Sequence, residues 1–295
     1  MVLLGKKKSI LVPSIPYENA DRIELLFKAI SDFWNEPKSI ELDFQECDYI
    51  GANGIAALSM FKRERDRCGL QTFCKLPASN SKVVGPLEKF GFVDLFSLVQ
   101  SVPLDSHDAI PIFLVENFEA EKVLEHIDYQ LTKQANQLPR MNEMLAKETR
   151  RSLFELIANI FEHSESSIGG VFTGQFHVRH AEFQICICDC GVGVSKRVMR
   201  KKPDITSCSN ALLWAVEGGN STKDSGIPGG LGLHLLRDFV KVNEGLFRLC
   251  ANNGVVSEIA GSQTAYDHDF SFPGTLIELR LKVKEDFVYC LSERV

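Results

Sequence analysis

The sequence predicts an α/β protein of two domains, and three observations support this. Short apolar runs alternate with helix-period runs over the first hundred residues. The segment SVPLDSHDAIP (101–111), with two prolines and several polar residues, interrupts that alternation and places a boundary near residue 104. The chain of 295 residues suits two domains of ~100–200 residues each. The expected division is 1–104 and 105–295.

In the first part, SILVP (9–13) reads as a short strand. In ENADRIELLFKAISDFW (18–34), Ile23, Leu26, Phe27, Ile30 and Phe33 fall on one face of a helix. SIELDF (39–44) is a strand, 51–69 a helix closed by Gly69, and LQTFCKL (70–76) a third strand. Residues 79–92 are expected to be helical with a break at Gly85-Pro86.

In the second part, IFLVENF (112–118) is a strand, followed by helices at about 119–135 and 141–164. VFTGQFHV (171–178) and EFQICICD (182–189) form a hairpin around Arg179, His180 and Ala181. Residues 190–230 are rich in Gly, Ser and Lys. A helix at 231–243 and strands at 245–251 and 275–281 complete the domain.

Composition narrows the function. The chain is 44% hydrophobic and 24% charged, as globular proteins are, which excludes a disordered or fibrous chain. A net charge of -6 supplies no global attraction to nucleic acid or anionic membrane. No apolar run reaches the ~18 residues of a membrane span, and the three lysines in MVLLGKKKSI do not fit a signal peptide. Nine cysteines without a disulfide-like spacing point to a reducing cytoplasmic location.

Three segments carry chemistry. Glu155 and Asn159 are one helical turn apart on one face, whereas Leu153, Ile157, Ile160 and Phe161 read as core. A carboxylate and a carboxamide so placed can bind a hard cation through oxygen or orient a water. Asp189 ends an apolar strand and precedes Gly191 and Gly193. Its carboxylate can accept from an exocyclic amine, and the glycines let backbone approach a flat ligand. Ser221-Thr222-Lys223 and the glycines 226, 229, 230 and 232 open a helix, as anion-binding backbone does, without a P-loop ending.

In this order the segments resemble the nucleotide-binding boxes of the GHKL (histidine kinase-like) ATPases, a superfamily that includes the anti-sigma-factor serine kinases. Pro273-Gly274-Thr275 before TLIELRL resembles that superfamily's final strand. The resemblance spans about 155–281. It implies a Bergerat-type α/β sandwich with helices on one face of a mixed sheet, and it implies ATP and Mg²⁺ as cofactors. By the same resemblance Asn159 would hold Mg²⁺ and Glu155 would be the general base. Asp189 would take the adenine amine with Thr275 helping through water, and Gly191 and Gly193 would floor the pocket. Gly229, Gly230 and Gly232 would wrap the triphosphate with Lys223 nearby. The first glycine of that box falls on Pro228, a departure from the pattern.

The first hundred residues resemble a STAS domain, the fold of anti-sigma-factor antagonists. The likeness rests on LDFQECDYIGANGIAAL (42–58), on Leu87-Glu-Lys-Phe-Gly91-Phe and on Asp94-Leu-Phe. The phosphoacceptor motif falls on Gly51-Ala52-Asn53-Gly54, with Asn53 where the acceptor serine would be. An amide does not accept a phosphoryl group as a hydroxyl does. Asn53 is then a helix N-cap or a fixed contact.

Other features have plainer readings. Cys186, Cys188 and Cys190 share one strand face and read as small buried residues rather than a metal site. His177 and His180 flank a turn and are expected to be exposed, whereas His163 ends the Glu155 helix. His126 lies in a helix but lacks the surroundings of a histidine-kinase acceptor. The basic residues Lys196, Arg197, Arg200, Lys201 and Lys202 steer a nucleotide or acidic partner, or form a solvated face.

The leading expectation is an ATP-Mg²⁺-binding signalling protein: a serine/threonine kinase or ATPase acting on a regulatory partner, either STAS-type or sigma-factor-like. A non-catalytic ATP-dependent interaction switch is the alternative, with a histidine kinase behind both. A homodimer is left open.

Overall fold

A computed structural model describes residues 7–17, 23–78, 81–96, 107–217, 220 and 231–291. The first half contains β1 (Lys8–Leu11), α1 (Ile23–Ser31), β2 (Ile40–Asp43), α2 (Ala52–Arg67), β3 (Thr72–Lys75) and α3 (Val84–Lys89). The second contains β4 (Ala109–Val115), α4 (Ala120–Lys133), β5 (Arg140–Met141), α5 (Glu143–His163), β6 (Gly170–His177), β7 (Glu182–Asp189), α6 (Val194–Lys201), α7 (Cys208–Val216), α8 (Leu231–Asn243), β8 (Leu246–Ile259), β9 (Ser262–Lys282) and β10 (Val288–Tyr289). No described helix is long and apolar enough to cross a membrane. The expected boundary near 104 lies outside the described residues.

The expected alternation gives a small parallel sheet, β1-β2-β3, from the first half. The second half forms a five-stranded sheet in the order β4-β6-β7-β9-β8. Every pairing in that sheet is antiparallel, which corrects the expected mixed sheet. The physical reason is connectivity: β6–β7 and β8–β9 are joined by turns too short for a parallel crossover. The β8–β9 turn has Ala260 at φ +48° and Gly261 at φ +82°, both left-handed, as a two-residue hairpin turn requires. This hairpin makes the last two strands far longer than the apolar runs predicted, because the added β9 residues include many that are polar and exposed.

Two further elements differ from expectation. Gly85 and Pro86 lie inside α3 rather than breaking it. Pro86 falls in the first turn, where its missing N–H leaves no intrahelical bond unmade. Within the Gly-, Ser- and Lys-rich stretch two helices form, α6 and α7, the latter capped where the Ser207 hydroxyl accepts the Asn210 N–H at 3.2 Å.

Helices cover both faces of the five-stranded sheet, which corrects the expected one-sided sandwich. The faces separate by strand alternation. On one face Cys186, Cys188, Cys250, Phe272 and Leu276 join the core made by α1, α2 and the small sheet. On the other, Ile185, Ile187, Leu249 and Leu279 pack with α4, α5, α7 and α8. The two halves of the chain therefore share a hydrophobic core, and β7 reads as a continuous apolar run because both its faces are buried.

Candidate functional site

Between the sheet and the second helical layer lies a cavity of about 140 Å³. Its apolar walls include Ile187 of β7, Leu249 of β8, Ile277 of β9 and Leu156 of α5. Asn159, Asp189 and Thr275, residues distant in sequence, all line it.

Asp189 is the deepest of the three, with 5% of its surface exposed. Its Oδ1 accepts the Gly191 N–H at 2.8 Å, and Thr275 beside it also favours the ionised carboxylate. Burial outweighs both and pushes the carboxyl up to about 7. Thr275 Oγ1 in turn accepts the Val194 N–H at 3.2 Å, which ties the strand to the start of α6.

The turn after Asp189 is held closely. The Val192 N–H donates to Ser164 O at 2.6 Å, and Asn252 Nδ2 donates to Val192 O at 3.2 Å. A Cβ on Gly191 would sit 1.9 Å from Ser164 O, so this approach to the end of α5 requires glycine. Gly193, at φ +82°, is the N-cap of α6 and also admits no Cβ, which would lie 2.6 Å from Asn252 Oδ1. Asn159 is half-buried on α5 and lines the cavity.

Glu155 does not line this cavity. It faces a larger neighbouring cleft of about 750 Å³ on the outer side of α5 and α8. Its Oε2 accepts the Gly232 N–H at 3.2 Å and its Oε1 accepts from Arg151 Nε at 3.2 Å. Gly232 lets α8 come this close: a Cβ there would be 2.7 Å from Glu155 Oε2. Lys223, Gly229 and Gly230 lie outside the described residues.

Arg197 of α6, one of the basic residues read as able to steer a nucleotide, also lines the smaller cavity, as does Trp214 of α7, which sequence reasoning missed. The Ser207 cap before SNALLWAV is the signal that could have found α7. Lys202 Nζ lies 5.8 Å from the Trp214 ring and Arg200 Nη1 2.9 Å from Glu165, so part of the basic cluster is engaged locally.

The remaining candidates resolve differently. His177 is buried, contrary to expectation, because it closes a polar chain inside the shared core rather than facing solvent. Tyr49 O–H donates to its Nδ1 at 3.1 Å, and its Nε2–H donates to Gln184 Oε1 at 3.0 Å. Burial pushes this imidazole down to about 4, which keeps it neutral. His126 stacks on Phe113 at 3.7 Å and is also held near 4 by burial. Burial raises the thiols of Cys186, Cys188 and Cys190, and no described group of three or more His, Cys, Asp or Glu side chains could hold a metal ion. Asn53 is not an N-cap, a place taken by Gly51. It is a fixed contact, with Nδ2 donating to Glu278 Oε2 at 3.2 Å.

No family model matches this chain, and no curated protein does.

Proposed function

We propose that this protein binds ATP with the adenine ring in the smaller cavity and transfers the γ-phosphoryl group to a hydroxyl of a partner protein. The observation that carries the reading is the state of Asp189. A carboxylate offers about four lone-pair sites. Gly191 N–H occupies one at 2.8 Å and Thr275 sits beside the carboxylate, and an open site suits an exocyclic amine between the apolar walls of Ile187, Leu249 and Ile277.

The described residues suit Mg²⁺ brought with the nucleotide. Mg²⁺ takes most ligands from phosphate and water, and Asn159 would add one carboxamide oxygen. When bound, the ion neutralises charge on the triphosphate. Gly232, whose own N–H meets Glu155, opens α8, where the helix dipole favours an anion, with Lys223, Gly229 and Gly230 assigned to the same task by resemblance. In transfer, the acceptor oxygen bonds to the γ-phosphorus, the β–γ bridging bond breaks, ADP leaves with that electron pair, and Glu155 takes the hydroxyl proton.

The acceptor belongs to another chain, because position 53 is an amide and only 1% exposed. A STAS-type regulatory protein is the partner class the resemblance favours. The nine cysteines are all free thiols, which supports a reducing cytoplasmic setting. One observation favours the second reading, a non-catalytic ATP-dependent switch. The Glu155 carboxylate is already engaged by Gly232 and Arg151 and lies outside the base-sized cavity.

Calorimetric titration of ATP with Mg²⁺ into the wild type and Asp189→Ala tests the site. Binding by the wild type that is lost in a folded variant is the expected result, and no binding by folded wild type would overturn it. Glu155→Ala separates the two readings: unchanged ATP affinity with loss of phosphate on the partner hydroxyl supports transfer.

A further inference from the structure

Resting on the reading that Glu155 serves a hydroxyl acceptor, we infer that the large outer cleft is the docking site for the acceptor segment of the partner protein. The cleft starts at Glu155 and Gly232, follows α8 past Leu235 and Val242, and ends at residues 287–291. From Gly232 to Val242 the helix advances roughly 15 Å, the span of about five extended residues.

Its two ends differ in chemistry. At the Glu155 end Glu148 and Glu155 outnumber Arg151, whose guanidinium meets Glu155 at 3.2 Å and Glu148 at 3.7 Å, while Asp238, further along α8, lies 3.3 Å from His234 Nε2. This acidic excess selects a basic side chain beside the acceptor hydroxyl. At the far end Val242, Phe287 and Val288 are 68%, 51% and 52% exposed, a cluster of large apolar side chains facing solvent. These select a large apolar side chain four or five residues away.

The floor provides an independent observation. Tyr289 is 3% exposed and lines the cleft, yet its buried hydroxyl has no hydrogen-bond partner among the described residues. Buried hydroxyls are ordinarily paired, and a small shift of the Tyr289 ring would open this orphan to a polar group that arrives with a ligand. An extended segment brings such groups in its backbone, which leaves its side chains to meet the acidic and apolar ends. The occupant is thus a short extended polypeptide with a serine or threonine next to Lys or Arg, followed by an apolar anchor.

The probe is a positional-scanning library of nonamer peptides with one fixed serine, screened against the full chain without nucleotide. The wild type is expected to select Lys or Arg beside the serine and a large apolar residue four or five positions away. Val242→Glu and Phe287→Glu change exposed positions. Each is expected to weaken the selected peptide at least tenfold with an unchanged thermal unfolding curve. Tyr289→Phe is expected to weaken it severalfold. No selection over scrambled peptides, or equal binding by the two glutamate variants, would overturn the inference. So would sedimentation showing that these variants turn a wild-type dimer into a monomer, since a second copy would then occupy the cleft. Because the screen contains no ATP, it is judged separately from the Asp189→Ala titration. Peptide selection without ATP binding keeps the docking surface and removes the phosphoryl transfer. ATP binding without peptide selection removes the docking surface alone.

Discussion

Asn53 and Glu278 meet across the two halves of the chain, with the Asn53 amide donating to the Glu278 carboxylate at 3.2 Å. Glu278 is fully buried. Its carboxylate also accepts from Arg280 Nε at 2.7 Å, Arg248 Nη1 at 3.0 Å and Gln184 Nε2 at 2.7 Å. Burial alone would raise this carboxyl, but the two guanidiniums outweigh it and hold it down at about 2. The position that corresponds to a STAS phosphoacceptor is thereby used as one donor in an internal charged cluster, on the sheet face away from the candidate nucleotide cavity.

Removing the charge from this cluster is predicted to cost more than removing its amide. Glu278→Gln leaves two buried guanidiniums without their carboxylate, an imbalance worth about 3–5 kcal/mol. Asn53→Ala removes one hydrogen bond to a charged group, about 1.5–3 kcal/mol. Asn53→Asp places a second carboxylate against Glu278 and is predicted to destabilise more than Asn53→Ala. Urea unfolding followed by tryptophan fluorescence orders the three variants; Asn53→Asp no worse than Asn53→Ala would remove the proposed contact.

The part of the fold set by local pattern was legible in the sequence. Helical spacing at Ile23, Leu26, Phe27 and Ile30 predicted the buried face of α1, and all four are buried. The run around Glu155 and Asn159 predicted α5 to within two residues at each end. The antiparallel β6–β7 hairpin was legible too, but the direction of the β7–β9 pairing was not, because its residues are almost a hundred positions apart. The unbroken run ICIC in β7 carried the signal of a strand covered on both faces, but His177 at the end of β6 gave none and was misread as exposed. At the site, Asp189, Asn159 and Thr275 do line one cavity, whereas Glu155 faces outward, since a helix pair can have different cavities on its two sides.

Two glycines, Gly191 in a tight turn and Gly85 in a helix, are predicted to respond differently to alanine. Gly191→Ala forces a Cβ to 1.9 Å from a backbone oxygen of Ser164, which has no flexible end to move aside. A loss of about 1–3 kcal/mol is expected, together with displacement of the Asp189 turn. At Gly85, inside α3, a Cβ meets nothing within 4 Å beyond its chain neighbours. There the added Cβ meets only the ring of Pro86, which disfavours helical backbone in the residue before it and offsets the gain from a stiffer unfolded chain, so a change within about 0.5 kcal/mol is expected. Thermal unfolding of both variants tests the contrast; a neutral Gly191→Ala would mean that the turn is not tight.

Asp189 is predicted to make stability fall as pH rises. Its folded carboxyl titrates at about 7, whereas the unfolded chain titrates near the ordinary ~3.9. Between those values the native state holds a proton that the unfolded state has released, so the slope of stability with pH is negative. The contribution is fully present below about pH 4 and is lost as pH passes through 7, a change of about 4 kcal/mol over the window. His177 acts in the opposite sense between about pH 4 and 6.5, because burial holds its imidazole neutral while the unfolded chain protonates. The comparison is therefore between wild type and Asp189→Asn at each pH, which cancels the histidine. The wild type is expected to lose stability relative to the variant from pH 4 to 8, and a constant difference would show an Asp189 that ionises normally. The same proton links to function. An amine donor in the cavity favours the ionised carboxylate, so ATP binding near pH 7 is expected to release a proton, seen as a binding heat that depends on the ionisation heat of the buffer.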